Sequence, residues 1–115
     1  MNVYDYAHQL ARSLKESSEY QQYKALEEKV KSDPQSKNML DGFRKHQLEV
    51  QKMQMLGQQV EEYKIQELQS LYNKLVENPL ISELLGAEYR LTQMMGDIYK
   101  ILGEALNLDM SGFEQ

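Results

Sequence analysis

The sequence predicts an all-α fold: a helical bundle of about five helices, two of them long, with no sheet. Three observations carry that expectation. Apolar residues recur at three- and four-residue spacings along most of the chain, and no stretch alternates with period two. Gln, Glu, Lys and Leu, which favour helix, dominate the usage. Asp33-Pro34 and Asn78-Pro79 each read as a helix cap followed by proline at the first helical position, where proline's missing N–H costs nothing.

The first helix places Val3, Tyr6, Ala7, Leu10 and Leu14 on one stripe, with Asn2 as its cap. A second begins at Ser18, where Ser18 and Gln21 have the spacing of a capping box, and carries Tyr20, Tyr23, Leu26 and Val30. The third opens at Pro34, carries Met39, Phe43, His46, Val50 and Met53, and runs to Leu56, a span of about 35 Å at the α-helical rise. Gly57 stops it, because the seam formed by Ile65, Leu68, Tyr72 and Leu75 belongs to a different register. The last helix starts at Pro79 and carries Ile81, Leu84, Leu91, Met95, Ile98, Leu102 and Ala105. Residues 1–108 are therefore expected to form a single helical domain, with 109–115 a frayed tail.

Two segments match at a constant offset of 45: Leu26 with Leu71, Lys29 with Lys74, Val30 with Leu75, and Asp33-Pro34 with Asn78-Pro79. They describe two helix–corner–helix units. Duplication and chance similarity between amphipathic helix pairs are both open at this level.

At 115 residues the core must be modest, and the third and fifth helices are too long to be covered along their full length. The economical cover is a second copy in two-fold symmetry. A homodimer or higher homo-oligomer is expected, with Met39, Phe43, His46, Val50, Met53, Leu91, Met95 and Ile98 as its self-association candidates. The seven methionines fit adaptable packing of this kind.

Charge and chemistry exclude several functions. A net charge of −5 disfavours nucleic acid and anionic membranes. The absence of cysteine removes disulfides, thiolate nucleophiles and the usual zinc and iron–sulfur ligands. The N-terminal segment has no basic stretch followed by an apolar run, and 18 apolar residues never occur together, so a cytoplasmic protein is expected. Asp5 and His8 have the spacing of a carboxylate-bridged metal motif, but that site needs a second such motif and two more carboxylates. His46 lies on an apolar stripe and reads as a packed or interface residue. No glycine-rich phosphate loop or nucleophile–base pair can be assembled. No enzymatic activity, no cofactor and no metal site are expected.

One sector of the third helix stands apart. Lys37, Arg44, Lys45 and Lys52 lie opposite the apolar stripe, and residues 34–56 carry +2 in a chain of −5. This sector is a solvated outer face, a dock for an acidic protein partner, or a contact for RNA. Leu48 and Met55 lie within it, as the apolar centre of a charge-framed interface would.

Val3-Tyr4-Asp5-Tyr6-Ala7-His8-Gln9-Leu10-Ala11, Ser18-Glu19-Tyr20 with Tyr23, Asn78-Pro79-Leu80, and Ala87-Glu88-Tyr89-Arg90-Leu91 leading to Asp97-Ile98 together resemble the YlbF/YmcA-like proteins of Gram-positive bacteria, most closely their YheA-like branch. The resemblance covers about residues 1–108. It implies a self-associating all-α bundle without enzymatic activity. It also implies kinship with regulators of competence, biofilm formation and sporulation that act in a complex associated with messenger RNA processing. Those relatives are associated with iron–sulfur clusters; this sequence has no cysteine, so cluster binding does not carry over. The expected function is that of a homo-oligomeric adaptor or regulatory subunit working through protein–protein contacts. The alternative is an RNA-associated accessory protein using the basic sector.

Overall fold

A computed structural model describes residues 1–109. Its helices are α1 (Val3–Glu16), α2 (Ser18–Lys31), α3 (Pro34–Met55), α4 (Glu62–Glu77) and α5 (Pro79–Leu106), and the described residues contain no strand. The two long helices have 22 and 28 residues. Among the described residues, no helix is long and apolar enough to cross a membrane. Of the expected tail, only Asp109 falls within the described residues.

The helix boundaries follow from local hydrogen bonding. Asn2 caps α1 in a complete box: its Oδ1 accepts from the Asp5 N–H at 3.0 Å, and Asp5 Oδ2 accepts from the Asn2 N–H at 3.1 Å. The capping box expected at Ser18 is not formed. Ser17, in an extended conformation, holds the corner instead. Its hydroxyl donates to the Leu14 carbonyl at 2.6 Å, closing α1, and accepts from the Tyr20 N–H at 3.2 Å, opening α2. Gln21 points back, its Nε2 donating to the Lys15 carbonyl at 2.7 Å.

The break expected at Gly57 is present. Gly57 has φ +71°, its N–H reaches the Gln54 carbonyl at 3.1 Å, and the Gln58 N–H reaches the Met53 carbonyl at 2.9 Å. These are the two bonds of a Schellman motif, which needs a left-handed residue where glycine has no Cβ to clash. Asn107, at φ 54°, ends α5 in the same way, with the Leu108 N–H bonded to the Gly103 carbonyl at 2.9 Å.

The chain groups into two compact units, Leu26–Leu85 and Met1–Ala25 with the chain from Gly86 on. In Leu26–Leu85 the 45-residue correspondence is one of geometry. The Asp33 N–H bonds the Val30 carbonyl at 3.1 Å, and the Asn78 N–H bonds the Leu75 carbonyl at 3.1 Å. Lys37 N–H to Asp33 carbonyl and Ser82 N–H to Asn78 carbonyl are both 2.9 Å. Burial repeats as well, since Val30 and Leu75 are buried, as are Ser36 and Ile81. With Leu40, Val50 and Leu84 they form the core of this unit. Burying a Leu or Ile side chain contributes about 1.5–3 kcal/mol.

The caps of the two corners differ in detail. Asn78 Oδ1 accepts from the Leu80 and Ile81 N–H groups at 3.0 and 3.3 Å, as an N-cap should. Asp33 stands at the N-cap position of α3 but makes no side-chain cap bond. Its Oδ2 accepts from the Ser36 hydroxyl at 2.5 Å.

The other unit is more open. α1 has no buried residue, although its stripe is apolar; Val3 is 78% exposed and Tyr6 60%, and Leu14 alone of the stripe is half-buried. On α5, Ala87 and Gly103 are buried, and Leu91, Met94, Met95, Ile98 and Tyr99 are half-buried. Arg90 Nη2 donates to Gln22 Oε1 at 3.5 Å, linking α5 to α2 within this unit.

Candidate interaction surfaces

α3 has two faces of different character. The stripe of Met39, Phe43, His46, Val50 and Met53 is laid against α4. The Phe43 and Tyr72 rings lie 5.8 Å apart at 46°, a favourable tilted arrangement. His46 Nε2 is 3.9 Å from Glu67 Oε1, and Lys64 Nζ approaches Met53 Sδ at 3.7 Å. Leu40 and Val50 are buried. Of the α3 self-association candidates, Phe43, His46 and Met53 thus meet α4 within the chain, while Met39, Phe43, His46 and Met53 remain half-buried.

The opposite face of α3 carries the basic sector. Lys37 is joined to Asp41 at 2.9 Å, an exposed four-residue pair that adds little stability. Further along the helix, Arg44, Lys45 and Lys52 are exposed and surround Leu48, 56% exposed. Met55, two turns beyond Leu48 on the same side, is 86% exposed, and Leu56 at the helix end is also exposed. Glu49 borders the sector beyond Lys45 and Lys52.

Further exposed apolar residues lie in the unit containing α1. Val3, Tyr4, Tyr6 and Leu10 on α1, with Ile101, Leu102 and Leu106 on α5, are exposed. Asp5, Arg12 and Glu16 fall on the far side of α1 and Lys15 falls beside Tyr4, so the stripe of Val3, Tyr6, Ala7, Leu10 and Leu14 itself carries no charge. Leu91, Met95 and Ile98, the α5 self-association candidates, belong to this unit and are half-buried. The spacing of α1 disclosed its stripe. It did not disclose that the stripe is uncovered, because the period is the same for a helix in a core and one awaiting a partner.

Two further side chains bear on chemistry. The Asp5 carboxylate is engaged by its own helix cap, and His8 is exposed on α1. Among the described residues, no group of three or more His, Asp or Glu comes together as a metal site.

Residues 3–107 match the family model described as "Control of competence regulator ComK, YlbF/YmcA". The chain belongs to the YlbF/YmcA family. Among its relatives is a UPF0342 protein of Symbiobacterium thermophilum, 41% identical over 94% of this chain and 96% of that protein. The structure of yheA from Bacillus subtilis matches with a TM-score of 0.72 and 27% identity, covering 93% of this chain and 97% of that one. A protein of unknown function (DUF964) from Bacillus stearothermophilus matches with a TM-score of 0.86 over 91% and 92% of the two chains; at 23% identity it bears on the fold alone. The YheA-like resemblance carried by the sequence motifs is therefore confirmed, and the description of the YlbF/YmcA family ties it to control of a competence regulator.

Proposed function

We propose that the protein is a self-associating adaptor or regulatory subunit, acting through protein contacts rather than catalysis, and that the unit containing α1 supplies its self-contact. The observation that carries this reading is α1 itself. A 14-residue helix is marginal in water unless its apolar face is packed, yet α1 is capped at its start and has no buried residue. Its charge-free stripe, together with the exposed end of α5, has the character of a homodimer interface, where apolar residues dominate and charges are depleted. A two-fold contact uses such a stripe twice, because the same patch serves both subunits. The family's link to control of a competence regulator agrees with a regulatory role.

Amide hydrogen exchange at low and high protein concentration tests this reading. Protection of the α1 amides that rises with concentration is the expected result. Fast exchange of α1 at every concentration would contradict it.

A further inference from the structure

The outward face of α3 is not an ordinary solvated surface. Such a face carries Lys, Gln and Glu throughout, whereas here Leu48 and Met55 stand exposed at its centre. They are not spare core residues, because the opposite face of α3 already meets α4 through Phe43, His46 and Met53. Lys45 and Lys52, seven positions apart, form a rail about 10.5 Å long beside an apolar rail of the same length made by Leu48 and Met55. Arg44 borders the other side. The lysine stems can lie along the apolar rail while their ammonium groups reach outward. The chain as a whole is −5, so this concentration of positive charge runs against its overall balance.

We infer that the Leu48–Met55 ridge of α3, framed by Arg44, Lys45 and Lys52, docks an acidic amphipathic helix of another protein. Two features select that occupant. The exposed Leu and Met require apolar side chains opposite them, which a phosphate backbone does not offer. Lys45 and Lys52 favour carboxylates at the rim, where charges set partner choice and association rate. A helix with apolar residues seven apart, and acidic residues seven apart beside them, has the matching repeat. The inference extends the adaptor reading by giving the assembly a surface for a second protein, separate from the unit that contains α1.

The test uses the full chain and a synthetic amphipathic helix with two leucines seven positions apart, flanked by glutamates. A version with lysines in place of the glutamates and a single-stranded RNA oligomer are the comparisons. The glutamate peptide is expected to bind, with affinity falling as salt rises, and the lysine peptide is expected not to. Leu48→Ala with Met55→Ala, and separately Lys45→Glu with Lys52→Glu, should each weaken binding by about tenfold or more, with helix content and sedimentation unchanged. Absence of binding, equal binding of the lysine peptide, or binding unaffected by either pair would overturn the inference. So would RNA binding that is lost in Lys45→Glu with Lys52→Glu. If the ridge variants dissociate the oligomer, the ridge is a self-interface and the inference fails while self-association stands. If the protein is monomeric but binds the glutamate peptide as described, self-association fails and the ridge stands.

Discussion

Asn78 Nδ2 donates to Ser36 Oγ at 2.9 Å, across 42 positions of sequence, and so joins the two proline corners. Because the Ser36 hydroxyl in turn donates to Asp33 Oδ2, one fully buried hydroxyl holds both corners at once. A buried polar group in this position is tolerated only because each of its bonds is made.

Ser36→Ala should lower stability by about 1–3 kcal/mol, since it leaves the Asn78 amide and the Asp33 carboxylate without this partner. Asn78→Ala should be the more damaging change, because it also removes the α5 cap, itself worth roughly 0.5–2 kcal/mol. Urea unfolding followed by circular dichroism measures both. A double variant less destabilised than the two singles added together would show that the residues act as a pair.

Leu75 and Ile81 lie at corresponding distances from the second corner as Val30 and Ser36 from the first, and both are buried. Truncating either to Ala should destabilise by about 2–5 kcal/mol through lost contacts and a residual cavity. That is a large share of the roughly 5–15 kcal/mol typical of a domain. Leu10→Ala on α1 should behave differently, with an effect on melting temperature that grows with protein concentration, as expected of a residue buried by association.

Gly57→Ala places a Cβ on a residue held at φ +71°. No atom beyond its chain neighbours lies within 4 Å of that added Cβ, so the penalty is that of the backbone conformation, about 1–2 kcal/mol. Equilibrium unfolding should show this loss. A stability equal to wild type would mean that the α3 terminus relaxes out of the Schellman motif.

The corners, the Gly57 break and both long helices were legible because proline, glycine and capping side chains act locally. The α1–α2 corner was misread by one residue. Ser17 and Ser18 are chemically equal in sequence, and only the extended backbone at Ser17 lets one hydroxyl serve both helices. Ser36 was not singled out, although the offset of 45 sets it against Ile81 and so marks a polar residue where the repeat has an apolar one. The stripe of α3 was read correctly as apolar, but periodicity does not name what covers it. The structure supplies α4 for α3, through Phe43 and Tyr72, and leaves α1 exposed.

Sedimentation equilibrium of the wild-type chain beside Tyr6→Glu with Leu10→Glu tests the self-contact most directly. Both substitutions put charge on a stripe that has none, at positions that are themselves exposed, so the variant should keep its helix content. The expected result is a wild-type dimer or larger assembly and a variant shifted to monomer. A wild-type chain that stays monomeric across the whole concentration range would contradict the account.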